Sequence, residues 1–187
     1  MLLKFGPWRT DPAWMENSGE IQAVSAQAGN ATSSSELQRV AITKVEVLND
    51  RLVPGSDGSI EHVVIANNAV TIIRSAELKG RVRISRSNVH IGGVSCKVLL
   101  AGLEARIDTV RHLVGGDSPV HGALFLTKQR SSPVKFYKSM AIGSPKAVVQ
   151  YLIEEHCARP TNPKIGPLTK ELDAMFLPLE KLSAPAA

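Results

Sequence analysis

Residues 89–114 read VHIGGVSCKVLLAGLEARIDTVRHLV, and one change of period inside them decides the fold. Val89 and Ile91 flank His90 in the alternation of a short strand, and Gly92-Gly93 ends it. From Cys96 the apolar residues recur at steps of three and four. Cys96, Leu99, Leu103, Ile107, Val110 and Val114 make one stripe, with Lys97, Glu104, Arg106, Asp108 and Arg111 on other faces. Gly115-Gly116 supplies a helix stop. A strand run that gives way to one long amphipathic helix points to an α/β protein.

Upstream, Thr43 to Leu48 alternates polar and apolar, as a half-buried strand does. The segment from Pro54 to Gly58 has turn chemistry. Ile60 to Ala66 and Ala69 to Arg74 read as two strands of a hairpin around Asn67-Asn68. Two shorter strands follow at Arg81 to Ser85 and Val89 to Ile91. Downstream, His121 to Leu126 suits a buried strand. Lys135 to Ile142 is a short strand region. Ser144-Pro145 opens a helix through about His156. Pro160, Pro163 and Pro167 suggest an extended linker before a last helix from Leu168 to Leu177. This order predicts a sandwich: a small mixed or antiparallel sheet flanked by helices.

The domain reading follows. Residues 1–35 form a weakly structured arm, broken by Pro7, Pro12, Gly19 and Gly29, which carries both tryptophans, Trp8 and Trp14. Residues 36–158 are the α/β domain, and residues 159–187 are the Pro-rich linker and C-terminal helix.

At 187 residues one domain is the prior. With 43% hydrophobic and only 4% aromatic residues, the core must be largely Val, Ile, Leu and Ala. The two cysteines, Cys96 and Cys157, lie in apolar helical patterns, as buried free thiols do. No signal peptide is visible, and no apolar run approaches the ~18 residues of a membrane span. The expectation is a cytoplasmic protein with no membrane partner. A net charge of +5 permits attraction to phosphate without demanding it.

Three stretches carry a resemblance. The first runs Val47-Leu48-Asn49-Asp50-Arg51-Leu52-Val53-Pro54-Gly55-Ser56, followed by Ile60-Glu61-His62 and an apolar strand. The second runs from Val70 through Arg74, Ala76, Glu77 and Lys79 to Gly80-Arg81-Val82. The third is Gly92-Gly93 with Lys97 at the head of the long helix. In order and spacing they resemble the nuclease-related domain (NERD) family, which is similar to the PD-(D/E)XK nuclease superfamily. The resemblance covers Thr43 to about Ile153 and implies a restriction-endonuclease-like sandwich.

It also implies a chemistry that this chain does not fully supply. Such nucleases hold a divalent ion between two carboxylates on adjacent strands, and the ion polarises phosphate and activates water. A Lys two residues beyond the second carboxylate shares its face and stabilises developing charge. On this pattern the first carboxylate falls on Glu61, the second on Arg74, and the Lys on Ala76. An internal pairing of Glu61 with Arg74 is expected there rather than a metal, so no cofactor is expected and cleavage is expected to be lost. A shifted register stays open: Glu77-Leu78-Lys79 spells E-x-K, with Asp57 upstream. Strand parity turns Glu77 and Lys79 away from the side of Arg74, unless a bulge intervenes. In that register Glu61, Glu77 and Lys79 would be catalytic, Glu61 would be a ligand, and Mg²⁺ would be the cofactor.

His62, His90, His112, His121 and His156 are scattered without ligand spacing. The densest basic feature is Lys79, Arg81, Arg83 and Arg86, with Arg81 and Arg83 on one strand face by parity. Together with Arg74 and Lys97, and with Arg106 and Arg111, these are the candidate nucleic-acid ligands; the ordinary alternative is a solvated sheet edge. A second basic stretch, Lys128, Arg130, Lys135 and Lys138, reads as a solvated loop. Three functions remain in view. They are a degenerate nuclease-related protein that binds DNA or RNA, a scaffold that captures a protein through its Trp-bearing arm, and an active nuclease in the shifted register.

Overall fold

A computed structural model describes residues 37, 45–53, 58–66, 69–115, 118–157, 163 and 165–178. The N-terminal arm, the Asn67-Asn68 turn, and most of the proline linker lie outside them. The chain runs β1 (Glu46–Leu52), β2 (Ser59–Ile65), β3 (Val70–Ala76), β4 (Val82–Ile84), β5 (Val89–Ile91), β6 (Val94–Ser95) and helix α1 (Lys97–Leu113). It continues through β7 (Val120–Leu126), β8 (Lys135–Tyr137), β9 (Met140–Gly143), α2 (Pro145–Leu152), a π-helical turn (Ile153–Cys157), α3 (Ile165–Met175) and β10 (Leu177–Pro178).

Seven of these strands form one mixed sheet in the order β10-β1-β2-β3-β7-β9-β8. The β3–β7 and β7–β9 pairs are parallel and the others antiparallel. The sheet is covered on both faces, which is why β3 and β7 read as nearly unbroken apolar runs. On β3, Val70 and Ile72 face the buried stripe of α1, Leu100, Leu103, Ile107 and Val110. Ile73 faces the other way, into a cluster with Phe125, Val148, Val149 and Leu152 of the α2 side. The architecture is therefore an α/β sandwich. Among the described residues no helix is long and apolar enough to cross a membrane.

The C-terminal helix belongs to this same core. Leu168, Leu172 and Phe176 are buried with the α1-side cluster, and β10 pairs with β1. Arg51 of β1 pins the helix by an ion pair to Asp173 at 2.8 Å and a hydrogen bond to the Phe176 carbonyl at 3.2 Å. Pro167 lies inside the first turn of α3, not in the linker. No intrahelical partner exists there for its missing N–H.

Three further details differ from the sequence expectation. Beyond Gly92-Gly93 the chain makes one more strand, β6, so that β4-β5-β6 is a separate three-stranded sheet. The region from Lys135 to Ile142 is two strands, turned by Lys138 at φ 53. Arg81 precedes β4, so it does not share a strand face with Arg83.

A crossing of two glycines holds the small sheet against the end of β3. A Cβ on Gly80 would stand 2.6 Å from the Gly92 Cα, and one on Gly92 would overlap the Lys79 carbonyl oxygen. Both residues have positive φ, 119° and 59°, which side-chain-bearing residues rarely adopt.

Candidate functional site

The paired rungs between β2 and β3 stop at His62↔Ile73, although β2 starts at Ser59 and β3 reaches Ala76. Two charged side chains serve backbone groups beyond that point. Glu61 Oε2 accepts the Ser75 backbone N–H at 2.6 Å. Arg106, reaching over from α1, donates Nε–H to the Ser59 carbonyl at 3.1 Å and Nη1–H to the Gly102 carbonyl at 3.0 Å. Backbone groups shielded from water need partners, and for Ser75 and Ser59 side chains provide them.

Arg74 completes the group. Continuing the β2–β3 register sets it opposite Glu61. Its Nη1 and that of Arg106 each lie 3.4 Å from the point where a Cβ on Gly102 would stand. Gly102 thus leaves room for two guanidinium groups above the sheet. On the other side of Glu61, Asp50 of β1 falls between the pairs Asn49↔His62 and Arg51↔Ile60, with a left-handed φ of 47°.

The electrostatics follow from burial. Desolvation pushes the Glu61 carboxyl above its ordinary range, against the Ser75 hydrogen bonds and the Arg74 charge that pull it down; Asp50 adds to the push. Burial and the Arg74 charge both lower Arg106, and Glu61 raises it. The expected pairing of Glu61 with Arg74 thus takes the form of charge coupling, while the carboxylate's short hydrogen bond goes to Ser75.

His62, next along β2, points to the opposite face and is 1% exposed. Its Nδ1–H donates to Asn49 Oδ1 at 2.8 Å, and Nε2 has no partner among the described residues. Burial holds it down at about 4, so the ring is neutral at pH 7. It is a core histidine.

The other candidate residues separate. Glu77 lies past the end of β3 and is ion-paired with Lys128 at 2.8 Å. Lys79 is exposed, also beyond the strand. The structure therefore groups Glu61 with Arg74, Arg106 and Asp50, and groups Glu77 and Lys79 elsewhere. Arg83 sits opposite His90 in the small sheet, Arg86 is exposed in the β4–β5 turn, and Lys97 is exposed at the start of α1. Arg111 is spent on Asp108.

Lys79 and Arg81 instead line a cleft of about 910 Å³ with Lys128, Arg130 and Lys135 from the β7–β8 loop. Three of the four residues read as a solvated stretch thus share one concavity with the β3–β4 turn. The fourth, Lys138, pairs with Glu104 of α1. Parallel pairing of β3 with β7 is the cause, since it brings Ala76 beside Leu126.

The donor set around Glu61 does not fit Mg²⁺. A hard cation takes several oxygen ligands, and here two guanidinium groups stand beside the carboxylate. Among the described residues no three His, Cys, Asp or Glu side chains form a metal-binding group. Comparison with family models, with curated proteins and with solved structures finds no match to the chain.

Proposed function

We propose that this chain is a nuclease-related scaffold of the PD-(D/E)XK kind that holds a nucleic-acid backbone without cutting it. The observation behind this reading is the meeting of Arg74 and Arg106 over Gly102, beside the carboxylate of Glu61. The resemblance puts a second carboxylate and a lysine at 74 and 76, and the chain has Arg74 and Ala76. A planar guanidinium group suits a phosphate through paired N–H donors, which is the role for Arg74; Arg106, whose Nε and Nη1 serve the Ser59 and Gly102 carbonyls, adds positive charge beside it. Glu61 serves the Ser75 amide, leaving it poorly placed to activate water. A cytoplasmic location goes with this reading, and the buried free thiol of Cys96 agrees with it.

The test is binding of labelled DNA and RNA to the full chain over a range of salt, beside a cleavage assay with Mg²⁺ and Mn²⁺. The expected result is binding that weakens steeply as salt rises, is reduced in Arg74→Ala, and is accompanied by no cleavage. Ion-dependent cleavage lost in Glu61→Ala or Glu77→Ala would replace this reading with an active nuclease. Salt-insensitive capture of a protein, lost on removing residues 1–35, would replace it with a scaffold; that arm lies outside the described residues.

A further inference from the structure

The cleft beyond β3 stands apart from the Glu61 group. One wall is the β3–β4 turn, with Lys79 and Arg81; the other is the β7–β8 loop, with Lys128, Arg130 and Lys135. Hydrogen bonds lash the walls together. Lys135 Nζ donates to the Val82 carbonyl at 2.9 Å, Gln129 donates to the Gly80 carbonyl, and the Thr127 amide donates to the Ala76 carbonyl at 3.1 Å. The Gly80–Gly92 crossing fixes the first wall from behind. The cleft is thus a built feature at the carboxyl ends of two adjacent parallel strands, where α/β sheets commonly seat ligands.

Its chemistry is one-sided. Among the described residues none that lines it is acidic, and Glu77 reaches Lys128 from outside the lining. Among the described residues Lys79, Arg81 and Arg130 have no carboxylate within ion-pair distance. The Ser132 hydroxyl on the wall is buried without a hydrogen-bond partner among the described residues. Like charges gathered in a concavity focus positive potential and attract an anion. Among the described residues no aromatic ring lines the cleft to stack on a base. A duplex is met by a broad surface of roughly 1,000–2,500 Å² of protein. A pocket of about 910 Å³ is closer to the size of a small ligand.

From this geometry we infer that the cleft is a second site, which takes a short run of single-stranded phosphodiester backbone without regard to base. The inference rests on the nucleic-acid reading above and gives that reading a strand class. Lys79, Arg81 and Arg130 supply the phosphate ligands. Lys128 joins them once a phosphate displaces Glu77, and Lys135 holds the walls.

The test is fluorescence anisotropy of the full chain with a labelled oligothymidylate of about a dozen nucleotides, within the ~4–16 nucleotide range of single-strand sites. An oligoadenylate of equal length, the matching duplex and inorganic polyphosphate serve as competitors. The double variant Arg81→Ala/Arg130→Ala should bind at least tenfold more weakly. Its slope of log K against log salt should shrink by about 0.7 for each phosphate that the variant no longer neutralises. Oligoadenylate should compete as well as oligothymidylate, and the duplex less well. Tighter binding of polyphosphate than of either strand would overturn the assignment to nucleic acid. An unchanged affinity and slope in the double variant, with Arg74→Ala still weakening binding, would sink the cleft and leave the Arg74 site standing. Loss in the double variant with Arg74→Ala unaffected would keep the cleft and remove the Arg74 site. No binding of any strand by the wild type would remove both. Arg81 and Arg130 are exposed and lie outside the strands and helices, and an unchanged circular dichroism spectrum checks the fold of every variant.

Discussion

Glu61 and Ser75 meet where the paired rungs between β2 and β3 run out: the carboxylate accepts the Ser75 backbone N–H at 2.6 Å, beyond the last pair, His62↔Ile73. The residue that the nuclease resemblance would make a metal ligand is therefore a structural acceptor here. Glu61→Ala leaves the amide without its partner and should cost about 1–3 kcal/mol. Glu61→Gln keeps an acceptor oxygen and should cost less. Urea unfolding of both variants checks the ordering, and equal losses would show that the hydrogen bond is not what Glu61 contributes.

The two neighbours on β2 give opposite pH dependences. His62 is held at about 4 in the folded state against an ordinary 6.5. Between those values the unfolded chain binds a proton that the folded chain refuses, so stability is lost as pH falls from 6.5 toward 4. Glu61 is raised above 4.5, so the folded chain is the one that binds its proton, and stability is lost as pH rises above 4.5. His62→Gln should flatten the acid limb of the stability curve, and Glu61→Gln should steepen it. Urea midpoints measured across this range separate the two.

Gly102 sits in the middle of α1, where glycine costs about 1 kcal/mol relative to alanine. An alanine Cβ would touch both guanidinium groups at 3.4 Å without overlap. Gly102→Ala should therefore stabilise the fold, by up to about 1 kcal/mol. Gly102→Leu should push Arg74 and Arg106 apart and, on the function proposed above, weaken nucleic-acid binding while the helix persists. Thermal unfolding and anisotropy, run on both variants, test the two halves.

Gly122 on β7 is a packing position of another kind. A Cβ there would lie 2.6 Å from Ile107 Cδ1 and 2.8 Å from Met140 Cγ, in the close-packed interior between sheet and α1. Gly122→Ala should destabilise by about 1–3 kcal/mol through overpacking. A variant as stable as the wild type would mean that the Ile107 and Met140 side chains can shift aside at little cost.

The elements that the sequence revealed are those with a long, clean period. The stripe from Leu103 to Val110 and the two strands flanking Asn67-Asn68 each repeat enough to be read locally. Strand β6 spans only Val94 and Ser95, too short to show alternation, and the β8–β9 turn hides in a residue, Lys138, that gives no turn signal. Pro167 misleads because a first-turn proline and a linker proline look alike in one dimension. The site was legible in part. Glu61 and Arg74 stand out once the nuclease pattern is laid on them. The placing of Arg106 is a product of helix docking, since it stands 47 positions along the chain from its partner Ser59. The cleft was hidden for the same reason: its two basic stretches read as a strand face and an unrelated loop until β3 and β7 pair.

The glycine crossing behind the cleft divides labour between main chain and side chains. Gly80 and Gly92 set the shape through backbone packing, with Lys135 alone of the basic residues tying one wall to the other. Lys79, Arg81 and Arg130 can then be exchanged, one by one or together, with little demand on folding. The charge at this end of the sheet is free to drift while its form is kept, and an engineer wishing to reverse the polarity of the cleft has a scaffold suited to it.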